Sequence, residues 1–158
     1  MKKITILALG GAGANFLNSF GKDFKKDSLD IEFNLLHLED KSFNKSNLEK
    51  SLKGSSKVFV LFGIGSNSIL SMTLADILNK EAYLSNYIII KPFAFEDDEK
   101  LKLFKEISEK LNNMVKNLQI IDCDEISSNN LDENILISKI FLNIDKYIFE
   151  QILKKTSL

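Results

Sequence analysis

Five of the seven glycines in this chain fall in two short runs, and each run follows a stretch of unbroken apolar sequence. Ile4-Thr5-Ile6-Leu7-Ala8-Leu9 leads into Gly10-Gly11-Ala12-Gly13-Ala14, and Lys57-Val58-Phe59-Val60-Leu61-Phe62 leads into Gly63-Ile64-Gly65-Ser66-Asn67-Ser68. Apolar runs of this length bounded by glycine read as strands buried on both faces, the kind found in parallel sheets covered by helices. A glycine turn after such a strand and before a helix lies at the sheet edge where open α/β sheets take their ligands. Backbone N–H groups there can approach phosphate oxygens, and the helix dipole favours the negative charge. The simpler alternative is that each glycine run only makes a tight strand-to-helix turn. Two such runs in neighbouring positions favour a phosphate site, present or ancestral.

The rest of the chain repeats the same alternation. Asn15 is placed to cap a helix running to about residue 26, with Phe16, Phe20 and Phe24 on one face. Ile31 to Leu38 reads as a second strand, and the polar segment 41–56 as a short helix within loop. A helix is expected over Ser68 to Lys80, a strand at Tyr87 to Ile90 and an amphipathic helix from Asp97 to Lys116, with Leu101, Phe104, Ile107, Leu111 and Met114 inward. A short strand at Leu118 to Ile121 precedes a last helix from Asp132 to Lys154, with Ile137, Ile140, Phe141, Ile144, Ile148 and Ile152 inward. The expectation is α/β: one Rossmann-like domain over residues 1–158, a mostly parallel sheet with helices on both faces.

Composition narrows the function. A net charge of −1 gives no electrostatic footing for nucleic acid or an anionic membrane, and no run of 18 apolar residues is present to span one. Cys123 is the only cysteine, which points to a reducing, cytoplasmic setting. Every basic side chain is lysine. The chain therefore has no guanidinium to clamp a phosphate or serve as an arginine finger.

Neither familiar phosphate motif fits the first glycine run. In a dinucleotide fingerprint the third small residue permits close helix–strand packing, and Phe16 stands there. Glu39 at the end of the second strand could face a ribose, so an NAD-type module stays as a remote alternative. No Gly-Lys-Ser/Thr follows, as a P-loop needs.

In order along the chain, four segments resemble the FtsZ/tubulin family. Ile4 to Asn15 is similar to the family's opening strand and GGAGGN phosphate loop. Val58 to Gly65 is similar to the strand that enters the GGGTGTG signature loop. Lys91-Pro92-Phe93-Ala94-Phe95-Glu96 is similar to KPFxFEG, and Ile120 to Ile126 sits where the family has IPNDKLL. The resemblance covers almost the whole chain and only the family's N-terminal, nucleotide-binding domain.

It implies a GTP or GDP site, with Mg²⁺. Gly10, Gly11, Ala12, Gly13, Ala14, Asn15, Gly63, Gly65, Ser66, Asn67 and Ser68 would lie along the phosphates. Glu96 would contact the ribose, Lys100 would replace a family arginine, and Asp124 would accept from the base. The departures are equally specific. Three signature glycines are replaced by Asn67, Ile69 and Ser71, and the base-reading asparagine falls on Cys123. The family's second domain, which completes the catalytic site of a neighbouring subunit, is not in this sequence. The expectation is a prokaryotic, FtsZ-like nucleotide-binding protein with little or no GTPase activity of its own and no catalytic or metal-ligating residue assigned. Its expected partners are FtsZ, other division proteins or a second copy, met through the C-terminal helix. The alternative is a nucleotide-free pseudo-GTPase scaffold.

Three other features have plainer readings. His37, the only histidine, is expected to be solvated or structural, since no Ser or Cys partner is evident. Cys123 is read as a buried, inert thiol. Asp97, Asp98 and Glu99 are read as opening a helix rather than holding a metal, and Phe141, Tyr147 and Phe149 as core or interface.

Overall fold

The computed structural model describes residues 2–25, 30–128 and 137–156. Five strands, β1 (Lys2–Leu9), β2 (Ile31–Leu38), β3 (Ser55–Gly63), β4 (Ser85–Lys91) and β5 (Leu118–Asp122), form one sheet in the order β2-β1-β3-β4-β5. Every neighbouring pair is parallel. Six α-helices are seen among the described residues: α1 (Gly10–Phe20), α2 (Lys45–Leu52), α3 (Ser68–Lys80), α4 (Asp98–Met114), α5 (Cys123–Ser128) and α6 (Ile137–Thr156).

Side-chain alternation along the central strands divides the core into two layers. Val58, Val60 and Phe62 of β3 pack with Leu48 and Leu52 of α2, Leu70 and Leu74 of α3 and Phe104, Ile107 and Leu111 of α4. Phe59 and Leu61, on the opposite face, pack with Phe16 of α1 and Ile144, Ile148 and Ile152 of α6. The expected phenylalanine face is a real cluster, although α1 ends at Phe20 instead of near residue 26 and Phe24 follows on a 3₁₀ turn, Gly21–Lys25. Phe24 lies 6.0 Å from Phe16, and Phe149 of α6 meets Phe20 at 5.4 Å and Phe24 at 4.8 Å.

Two local expectations need correcting. The first glycine run is not a loop capped by Asn15. Gly10 makes the whole turn at φ +65°, so the chain passes from strand to helix in one residue and Asn15 lies inside α1. Gly13 lets the helix settle on the strand it follows, since a Cβ there would lie 2.5 Å from the Ala8 carbonyl carbon. The second correction concerns α6. Its described part begins at Ile137, and residues 132–136 lie outside the described residues. Ile137 is 69% exposed and Phe141 47% exposed, so of the expected stripe only Ile140, Ile144, Ile148 and Ile152 pack inward. The first turns of α6 overhang the carboxyl ends of the strands, where there is no sheet to cover them.

The other end of α6 is tied under the sheet. The Lys2 ammonium donates to the Thr156 carbonyl at 3.0 Å, and the buried Lys57 ammonium donates to the Lys155 carbonyl. Both satisfy carbonyls at a helix C-terminus, where positive charge is favoured. Burial and the charges of Lys2 and Lys155 push the Lys57 pKa down. This anchoring fixes where the opposite end of α6 projects.

Candidate functional site

The strand order reverses direction between β1 and β3. β1 connects outward to β2 on one side, and β3 continues to β4 and β5 on the other. A sheet of this order opens a crevice at that point, beyond the carboxyl ends of its strands. A cavity of about 380 Å³ lies there. One end is walled by Gly10, Gly11 and Ala12 of α1 and by Gly63, Ile64, Gly65, Ser66 and Asn67 after β3, and Asn15 of α1 lines it nearer Phe141 and Asp145. The other end is walled by Ile90, Lys100, Cys123, Phe141, Ile144 and Asp145.

Nine of the residues expected along a nucleotide thus share one cavity: Gly10, Gly11, Ala12, Asn15, Gly63, Gly65, Ser66, Asn67 and Lys100. The other five lie outside its lining. Gly13 faces β1, and Ala14 lies part-buried in α1. Ser68 is buried, and its hydroxyl donates to the Gly65 carbonyl at 2.9 Å, closing the turn before α3. Glu96 accepts from the Phe93 N–H at 2.7 Å and stands 3.5 Å from the Lys100 ammonium. Asp124 accepts from the Ala94 N–H at 2.8 Å. These two carboxylates brace the 93–96 turn from either side, and Asp97 accepts from the Glu99 N–H at 3.0 Å to start α4.

His37 is structural in a specific way. Its Nε2 lies 2.8 Å from the Gly10 carbonyl oxygen, so the ring donates to the turn that begins α1. Asn67 crosses the same turn. Its Oδ1 accepts from the Asp40 N–H at 2.7 Å, and its Nδ2 lies 2.7 Å from where a Cβ on Gly10 would be. Of the other residues whose bulk would close the crevice, Ile69 is 68% exposed and Phe62 is buried in the core on the α3 side.

Asp145, Phe141 and Ile144 were not anticipated in the site. Asp145 has no hydrogen-bond partner for its carboxylate among the described residues, and burial raises its pKa from 3.8 to about 6. The available signal was an acid beside the buried Ile144 and four residues after Phe141, a spacing that puts both on one helix face. Cys123 lines the cavity yet is only 2% exposed. Burial first, then the charges of Glu96, Asp122, Asp124 and Asp145, push its thiol up to about 12. It is a wall and not a nucleophile at neutral pH. Among the described residues no three His, Cys, Asp or Glu side chains gather to hold a metal ion. Among the described residues no helix is long and apolar enough to cross a membrane.

No protein-family model and no curated protein matches the sequence. Solved structures do match. FtsZ of M. jannaschii, as an empty dimer, superposes with a TM-score of 0.74 at 16% identity, over 93% of this chain and 52% of that one. CetZ from Methanosaeta thermophila gives 0.75 at 11% identity, over 99% and 54%. A GTPγS-bound protofilament of CetZ2 from Haloferax volcanii gives 0.72 at 14% identity, over 96% and 57%. The chain spans about half the length of these structures. What it shares with them, at this identity, is architecture: an all-parallel α/β domain with the fold of the FtsZ/tubulin nucleotide-binding domain.

Proposed function

We propose that this chain binds a guanine nucleotide in the crevice between its two glycine turns and turns it over slowly or not at all. The observation that carries this reading is the polarity of the cavity from end to end. At one end are the first turn of α1, whose leading N–H groups have no helical carbonyl to bond, and the glycine turn after β3, with the Asn67 side chain the main group across them. Such an end suits phosphate oxygens. At the other end an aromatic ring, two isoleucines and one carboxylate surround a slot of mixed character. A purine fits that description. The Asp145 carboxylate is acceptor-only when ionised, so it selects a base edge that presents adjacent N–H donors, as guanine does and adenine does not. Lys100, 3.5 Å from the Glu96 carboxylate, adds positive charge to the wall of that second end.

The same geometry argues for slow hydrolysis. No carboxylate or imidazole is among the cavity residues at the phosphate end, and His37 donates away from it to the Gly10 carbonyl. Nothing there positions or deprotonates a water. Bound Mg²⁺ would supply charge neutralisation between phosphate oxygens, held mainly by the nucleotide itself. The NAD-type reading is disfavoured because Phe16 is fully buried in the core at the point where such a site needs a small residue.

A second reading has its own observation. Asn67 against Gly10 narrows the cradle, which fits a nucleotide-free scaffold acting through protein contacts. Ile137, Phe141, Leu142 and Leu153 of α6 are all well exposed and offer apolar surface for a second copy, an FtsZ-like partner or another division protein, in the cytoplasm.

A thermal-shift series with GTP, GDP, ATP and NAD, with and without Mg²⁺, separates these readings. A nucleotide at 100 times its dissociation constant stabilises the fold by about 2.7 kcal/mol, which moves the midpoint of a domain this size by roughly 5–11 °C. A shift confined to guanine nucleotides is the expected result. No shift with any of the four would overturn the nucleotide reading and leave the scaffold.

A further inference from the structure

Asn67 belongs to the turn after β3, yet its side chain reaches the segment after β2, passing over the end of β1 between them. Its Oδ1 accepts from the Asp40 N–H at 2.7 Å, and its amide lies against the Cα of Gly10. The adjoining Ser66 hydroxyl lies 3.4 Å from Asn67 Nδ2. The side chain thus forms a strut across the phosphate end of the cavity. Beyond it runs the 39–40 segment, where the Glu39 carboxylate stands 3.9 Å from His37 Nε2.

We infer that Asn67 limits the length of the phosphate chain, so that the site takes a nucleoside diphosphate in preference to a triphosphate. This rests on the nucleotide reading above and adds to it which nucleotide is held. With the base at the Phe141 and Asp145 end, the phosphates run toward Gly10 and Asn67. A second phosphate fits in front of the strut and can accept from the Asn67 Nδ2. A third phosphate needs the amide to swing aside. That breaks the bond to the Asp40 N–H and brings more negative charge toward the Glu39 carboxylate, a like-charge approach that costs binding energy.

The decisive comparison is the ratio of dissociation constants for GDP and for GTPγS, the latter chosen so that turnover does not blur the measurement. Titration calorimetry in Mg²⁺ gives it for the intact chain and for three variants. Asn67→Ala removes the strut, and because the Asn67 side chain makes no cap bond to α3, the helix start is unharmed. Asp40→Pro removes the N–H that holds the strut. Position 40 opens a short 3₁₀ turn, and Glu39 before it is extended at φ −131° and ψ 147°, which is compatible with proline. Asp40→Ala keeps the N–H and controls for the lost carboxylate.

The expected result is that the parent binds GDP about tenfold more tightly than GTPγS, on the scale of losing the hydrogen bond between the Asp40 N–H and the Asn67 amide. Asn67→Ala and Asp40→Pro should bring the two within about threefold of each other, with Asp40→Ala retaining more of the preference than Asp40→Pro. A parent that binds GTPγS as tightly as GDP refutes the strut and leaves the nucleotide site standing. So does a GDP preference that neither Asn67→Ala nor folded Asp40→Pro reduces. Binding of neither nucleotide by the parent or by Asn67→Ala removes both the strut and the site. Binding only after Asn67→Ala shows a plug instead of a length limit, and overturns the inference.

Discussion

Replacing Asp145 by asparagine should make the free protein more stable while making it a poorer guanine binder. The carboxylate sits in the cavity wall beside the buried Ile144, and burial lifts its pKa from 3.8 to about 6. The sign follows from linkage. A carboxyl group that holds its proton more tightly when folded stabilises the fold fully below pH 3.8, and that contribution is lost as the pH rises through about 6. A change of this size corresponds to at most about 3 kcal/mol. Asp145 keeps partial access to solvent, so screening reduces the figure to roughly 1–2 kcal/mol. Asparagine has the same shape and never ionises. The advantage of Asp145→Asn over the parent should therefore be about 1–2 kcal/mol at pH 7.5, about half that at pH 5 and near zero at pH 3. Urea unfolding of both proteins at the three pH values measures it, and subtracting the two curves cancels all other titrating groups. At pH 7.5 the variant should melt roughly 2–8 °C higher. In the same variant the advantage of GDP over ADP should fall by about tenfold, the scale of one hydrogen bond to a charged group. An advantage that is independent of pH, or that grows on acidification, would refute the desolvated carboxylate and with it the argument for a base-reading acid.

Two further outcomes follow from the packing. Gly13→Ala should destabilise by about 2 kcal/mol, because its Cβ would meet the Ala8 backbone at 2.5 Å, whereas Gly11→Ala, with nothing within 4 Å, should be neutral or slightly stabilising; paired urea denaturation compares them. The Cys123 thiol, pushed up to about 12, should resist iodoacetamide at pH 8 in the folded protein and react readily in urea, and equal rates in the two states would contradict its burial.

Much of this architecture was legible in the sequence because the signals are local. Ile31 to Leu38 and Ser68 to Lys80 are bounded in the structure as their apolar pattern implies. Strands buried on both faces have to be apolar throughout, and helices covering a sheet need a stripe, so composition along the chain carries that information. The glycines marked where the strands end for a similar reason, although only the structure shows that Gly10 alone, at φ +65°, makes the first turn. What the sequence could not convey was which distant groups meet. Asp145 is about 130 residues from Asn15, and the packing of Ile144, Ile148 and Ile152 on the sheet, with the Lys2 and Lys57 bonds at the far end of α6, brings it to the crevice. In the sequence it reads as one more solvated acid on a helix. Glu96 and Asp124 show the converse. The family resemblance assigned them a ribose and a base, and tertiary placement gives each a backbone N–H, at Phe93 and Ala94. Asn67 reads as a worn glycine position until β1, β2 and β3 lie side by side and its amide can span them. Secondary structure is decided by neighbours along the chain, and a binding site by neighbours across it. The first kind of neighbour is written in the sequence in order, and the second exists only once the sheet has assembled.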